Sequence, residues 1–146
     1  MATATIPKYD TEEKALVHAI NAFRRQNGRA PLKVGLSLSR AAQWMSNDMA
    51  HNDNFDHTDT RGRDVGPRLK AFGYSNPTSG ENIAGGEASA ADTLRQWKNS
   101  PPHRANLLRT KFKVMGLARA HDGDSMLGWY WTADFGATVG KTISIS

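Results

Sequence analysis

Of the side chains in this sequence, the five histidines, His18, His51, His57, His103 and His121, are best suited to move a proton or hold a metal near neutral pH. His57 lies in the polar run FDHTD and His103 in SPPHRANLL, each where the chain passes from loop toward helix. A third group, the carboxylate of Glu81, stands between glycines in GENIAGG, a stretch whose composition reads as loop. Two imidazoles and a carboxylate form a donor set for zinc or another divalent cation. Their wide separation makes the signal weaker than a compact H-E-x-x-H. The other reading of Glu81 is a loop acid that caps backbone donors around Asn82. His18 falls beside an apolar stripe and reads as a core-edge residue, whereas His121 adjoins a turn and reads as solvated.

Other reactive arrangements are weaker. Ser100 and His103 have the types of a nucleophile and its base, with Asp134 as a candidate orienting acid. A serine directly before Pro101 is nevertheless accounted for as a helix cap. The sequence contains no G-x-S-x-G elbow and no phosphate-cradling glycine motif, and DNFDHTDTRGRD lacks the glycine and terminal glutamate spacing of a calcium loop.

The elements that must position these residues follow from periodicity. Leu16, Ala19, Ile20 and Phe23 recur at helical spacing behind an Asp10/Glu13 capping box, with Gly28 as the stop. A second helix, SLSRAAQWMSNDMAHN, carries Leu38, Ala41, Ala42, Met45 and Met49 on one stripe behind a serine cap. VGPRLKAFGY allows a short helix ending at Gly73, and SAADTLRQW places Ala90, Ala91, Leu94 and Trp97 on one face. A further helix starts at Ser100 and Pro101. Only the last third reads as sheet, with KFKVMGLARAH and SMLGWYWTADFG flanking a DGD turn. Both faces of these strands are apolar, so helices must cover each. The expected fold is α+β, an α-β-α sandwich with a small antiparallel sheet between helical layers.

At 146 residues the chain fits one domain, 1–146, with its core over about residues 10–137. The net charge of +5 permits anionic partners, and the densest cationic stretch, Arg95 to Arg119, contains no acid. No aromatics interleave regularly with those charges, which disfavours a nucleic-acid site. With no cysteine, disulfides and thiolate chemistry are excluded. No apolar run is long enough to span a membrane, and MATATIPKYD has neither the basic start nor the apolar core of a signal peptide. As written, the chain is expected to stay soluble where it is made.

Taken in order, FDHTD, GENIAGG, QWKNSPPHRANLL, VMGLARA and YWTADFG resemble the signature blocks of the CAP superfamily of cysteine-rich secretory, venom-antigen and pathogenesis-related proteins. The resemblance spans roughly Glu13 to Gly136, and the W-x-x-S-x-x-H-R-x-N-x-L form from Trp97 to Leu108 is similar to its bacterial branch. It implies the same sandwich and a secreted or cell-envelope location. It also implies a central cavity in which two histidines and two glutamates hold a divalent cation. By position His57, Glu81 and His103 match as metal residues. The second glutamate is missing, because Asn99 and Ser100 stand there. Asp56 and Asn99 are the candidates to replace it, with Ser100 and Asn82 as further cavity residues. A zinc ion, or another divalent cation, is therefore expected to bind weakly.

The leading functional expectation is a non-enzymatic domain whose cavity and groove take a small or extended ligand: a lipid, glycan or peptide. The alternative is a metal-assisted hydrolase with zinc-activated water and Glu81 as general base. A third reading is adhesion of the basic stretch to anionic envelope polymers.

Overall fold

The computed structural model describes residues 6–146, so the first five residues of MATATIPKYD lie outside the described residues. Helix α1, Thr11–Gln26, starts at the expected capping box: the Glu13 amide donates to Asp10 Oδ1 at 2.8 Å and the Asp10 amide to Glu13 Oε1 at 2.7 Å. It ends where Gly28 takes φ of 72°. Helix α2, Leu36–Asn52, differs from expectation at its start. Its cap is Gly35, which has no side chain to bond the first amides, and the Leu36 amide donates to the Lys141 carbonyl. Helices α3, Val65–Ala71, α4, Ala90–Lys98, and α5, Pro101–Leu108, stand where expected, although α4 buries Thr93 with Ala90, Leu94 and Trp97 and leaves Ala91 exposed.

The sheet is larger than the sequence suggested. Strands β1, Lys33–Val34, β2, Ser79–Gly85, β3, Val114–His121, and β4, Trp129–Gly136, lie in the order β1-β3-β4-β2. The β3–β4 hairpin is the expected one, and β2 adds antiparallel to β4. The very short β1 runs parallel to β3, making the sheet mixed. The main correction concerns β2, which reads as loop by composition. Its glycines serve packing: a Cβ on Gly80 would come within 2.9 Å of the Phe112 ring.

Because side chains alternate along a strand, β2 sends Glu81 and Ile83 to one face and Asn82 and Ala84 to the other. On one face α1, α4 and α5 pack Leu16, Ile20, Leu94 and Trp97 around Leu117, Trp131 and Phe135. On the other, α2 sets Met45 and Met49 against Ile83 and Tyr130, and Leu38 and Ala41 join Leu69 of α3 and Val114. Each such fully buried aliphatic side chain stabilises the fold by about 1.5–3 kcal/mol. His18 is exposed rather than at the core edge, since the apolar stripe of α1 turns just past it.

The contact of α2 with β3 has no slack. A Cβ on Gly116 would sit 2.1 Å from the Ser39 amide nitrogen and 2.2 Å from the Leu38 carbonyl carbon. Both are backbone atoms of a helix held at two ends, so neither yields easily. Gly116→Ala is expected to destabilise the chain by about 3 kcal/mol or more, read as a lowered urea midpoint; an unchanged midpoint would show that α2 can lift off the sheet.

Candidate functional site

Glu81 lies at the sheet's outer strand yet is 5% exposed, because its side chain points under α3 and the loop before it. Three groups meet it. His57 Nδ1 lies 2.9 Å from Oε1, Arg68 Nη1 donates to Oε2 at 2.5 Å, and Asp134 is its register partner on β4. Arg68, fully buried, also donates from Nη2 to the His57 carbonyl at 2.5 Å. Its Nε faces Asp59 Oδ2 at 3.5 Å. Asp59 in turn accepts from the amides of Arg61 and Arg63 and from Arg63 Nε, all at 2.9 Å. One guanidinium thus ties the 57–64 loop to α3 and β2.

The electrostatics divide the two acids. Burial alone would raise the proton affinity of Glu81, but hydrogen bonds from Asp134 and His57 and the charge of Arg68 outweigh it and hold its pKa below the usual range. Asp134 moves the opposite way: complete burial and the adjoining Glu81 charge push it well above the ordinary carboxyl value. Its two oxygens are buried with no donor in reach. As an anion Asp134 would be unsatisfied; as a neutral acid its hydroxyl donates to Glu81.

His57 is half-exposed, and its hydrogen bond to Glu81 raises its pKa against the opposing effect of burial. His103, on the first turn of α5, has its pKa lowered by burial and by the nearby His57. Its Nδ1 lies 2.9 Å from Ser100 Oγ. That contact corrects the reading of Ser100, which occupies the cap position of α5 without capping it. The Ser100–His103 pair lacks an orienting acid, since Asp134 belongs to Glu81. NMR titration of the imidazoles is expected to show His103 losing its proton at lower pH than His57; coincident titrations would mean that Glu81 does not hold His57. The His57–Glu81 pair stabilises the fold fully below the unfolded histidine pKa and loses that contribution as pH rises through the raised folded value.

The remaining sequence candidates have other partners. Asn82, fully buried, donates to the His103 carbonyl at 3.0 Å and accepts from Asn106 at 3.0 Å, fastening α5 to the outer edge of β2. Asp56 is exposed and accepts from the Thr58 amide. Asn99 is exposed at the end of α4.

Among the described residues no three His, Asp or Glu side chains form a ready metal-ligating cluster. Glu81 is closed off by its three partners. The two imidazoles are available: each has its Nδ1 engaged, and neither Nε2 has a hydrogen-bond partner among the described residues. A cavity of about 280 Å³ lies elsewhere, lined by Ser37, Leu38, Tyr74, Asn76, Thr138 and Lys141 among others.

Sequence reasoning missed Arg68 and Asp59. Arg68 left one signal, since it falls on the Val65, Leu69, Phe72 stripe of α3, where a cation needs a buried counter-charge. Asp134 entered the sequence reading only as a candidate orienting acid for Ser100 and His103; in the fold it adjoins Glu81 across the β2–β4 register.

The α-β-α sandwich defines the class of fold, and known proteins share it. The chain belongs to the CAP, or cysteine-rich secretory protein, family, whose model matches residues 17–135. Over 129 residues it is 34% identical to YkwD of Bacillus subtilis, covering 88% of this chain and 47% of that protein. It spans less than half the length of the curated relatives it matches, 47% of one and 31% of another. Its fold is similar to that of an outer surface protein of Borrelia burgdorferi (TM-score 0.78, 23% identity, 95% of this chain and all of that one). It is also similar to an SCP-domain extracellular protein of Bacillus anthracis (TM-score 0.75, 23% identity, 90% of this chain and 45% of that one). Among the described residues no helix is long and apolar enough to cross a membrane.

Proposed function

We propose that this is a non-enzymatic CAP domain, working outside the cell or in the envelope, that holds a divalent cation weakly between His57 and His103 and takes a small or extended ligand beside it. The observation that carries this reading is the pair of imidazoles whose Nδ1 atoms are held by Glu81 and Ser100, leaving both Nε2 atoms open. A carboxylate on the far nitrogen fixes the ring and raises its basicity as a ligand, so Glu81 acts as orienter of His57. Bound there, zinc would supply a Lewis-acidic position for an oxygen of a lipid, glycan or peptide. With two imidazoles and no open carboxylate, affinity is low.

The closure of Glu81 supports the non-enzymatic reading over the hydrolase. A general base needs a lone pair facing the attacking water, and the oxygens of Glu81 already face His57, Arg68 and Asp134. The location rests on the relatives, an outer surface protein and an extracellular one.

Calorimetric titration of metal-stripped protein with zinc tests the cation site. One weak saturable event, absent from both His57→Ala and His103→Ala, is expected. No heat in the unmodified chain would overturn the cation site, and binding retained in either variant would place it elsewhere. Hydrolysis of an ester, peptide or glycan that disappears in His57→Ala would overturn the non-enzymatic reading.

A further inference from the structure

The charges of this chain are segregated, and the fold makes the segregation spatial. Residues 14–47 hold six of its Lys and Arg residues and residues 93–121 hold seven, thirteen of nineteen, while neither segment contains any of the fourteen acids. The first segment supplies most of α1 and the second most of α4 and all of α5, which pack together on one face of the sheet; Lys33 on β1, Arg40 on α2 and Arg119 on β3 lie outside that helical layer.

The contacts between them gather the cations. Lys98 Nζ and the Arg104 guanidinium, from α4 and α5, both lie over the Phe23 ring of α1, at 4.6 and 4.9 Å. The next residue, Arg24, is buried and donates to the carbonyls of Leu107, Arg109 and Phe112, drawing the end of α5 and the following loop against α1. Arg109 lies over Phe112 at 5.0 Å. Arg109, Lys111 and Lys113 are exposed. Lys98, Arg104, Arg109, Lys111 and Lys113 form no salt bridge among the described residues, whereas Arg95 and Arg119 at the margins pair with Asp92 and Asp10. Unpaired like charges repel one another, so a face that collects them favours a partner that brings the counter-charge.

Two observations narrow the partner. Phe23 and Phe112 are buried beneath the cations, 6% and 0% exposed, so no ring is free to stack a nucleobase. Among the described residues the large exposed hydrophobics are Ile6, which lies by Lys14 at the start of α1, and Phe55, Met126 and Val139; none lies on α4, α5 or the loop that carries Arg109 and Lys111, so the cation cluster there has no anchor to enter a lipid surface. We infer that the α1–α4–α5 face binds a flexible, base-free polyanion of the poly(polyol phosphate) type. Its phosphodiesters would be met by the planar forks of Arg104 and Arg109 and the point charges of the lysines.

Poly(glycerol phosphate) is the probe, with single-stranded DNA and polyglutamate of equal charge number beside it, all with chelator present to keep the histidine site out of the result. The expected result is saturable binding of poly(glycerol phosphate) that weakens at least about tenfold between about 50 and about 200 mM salt. Binding should fall about tenfold in Lys98→Gln/Arg104→Gln and in Arg109→Gln/Lys111→Gln, but less than about twofold in Lys70→Gln/Lys141→Gln, which removes the same charge elsewhere. The Arg109/Lys111 pair keeps the test decisive if loss of cover over Phe23 unfolds the first variant. Equal losses in all three variants would reduce the effect to net charge and overturn the proposal. So would salt-independent binding, no binding at the lower salt, DNA binding more tightly, or polyglutamate binding equally well.

Discussion

Replacing Arg68 with methionine is expected to destabilise the chain by about 3–5 kcal/mol, the cost of leaving a buried charge without its partner. Arg68 is fully buried and is the fixed positive charge against Glu81, which also lies out of water. Methionine fills much of the volume but leaves the carboxylate beside Asp134 with only His57 for compensation. Arg68→Lys is expected to recover only part of the loss. A single ammonium does not reproduce the fork that reaches both Glu81 Oε2 and the His57 carbonyl. The double variant Arg68→Met/Glu81→Gln removes both charges and should be more stable than Arg68→Met alone, a non-additivity that urea denaturation reads directly. If the double variant loses the sum of the two single losses, the pair is not coupled. Because Arg68 also holds the backbone of His57, the Arg68→Met variant should bind zinc more weakly even where it remains folded.

The elements whose signals are local were legible. The Asp10/Glu13 box, the stripe of α2 and the β3–β4 hairpin each depend on neighbours within a few residues and each is present, although β4 begins at Trp129, later than the run from Ser125 suggested. Strand β2 did not announce itself, because a strand rich in glycine is specified by what packs on it. Phe112 crowds Gly80, and β4 pairs along its full length. The two-residue β1 is likewise defined by its tie to β3 rather than by any pattern of its own.

The site was legible in kind but not in wiring. His57, Glu81 and His103 were singled out as residue types in suggestive places, and the fold brings His57 onto Glu81 with His103 nearby. Nothing in the spacing showed that Glu81 would be enclosed. That depends on Arg68, thirteen residues earlier on a different element, and on Asp134 across the sheet register. Ser100 carried two compatible roles in the sequence, cap and histidine partner. Only the rotation of α5, fixed by Asn82 and Asn106 against β2, selects the second.

Asp134→Asn is expected to remove a component of the pH dependence of stability rather than to harm the fold. Its carboxyl is held well above the ordinary value, so between the unfolded pKa and the raised folded one the native chain keeps a proton that the unfolded chain has released. Stability from this group is therefore complete below the unfolded value and declines as pH rises toward the folded one, by about 1.4 kcal/mol for each pH unit. Glu81 has the opposite sign: its depressed pKa gives a contribution present above the unfolded value and lost as pH falls through the folded one, at the acidic end. Asparagine presents a neutral donor to Glu81 at every pH, as the protonated acid does. The variant should match the unmodified chain below the unfolded carboxyl value and surpass it progressively as pH rises from there toward the raised folded one. Stability curves from denaturant titrations that stay parallel across that range would show that Asp134 is ionised in the folded chain. Asp134→Leu separates the proton from the packing, because it keeps the neutral charge but removes the donor. It should lose the pH dependence and also the hydrogen bond, leaving Glu81 closer to its ordinary proton affinity and His57 less firmly protonated.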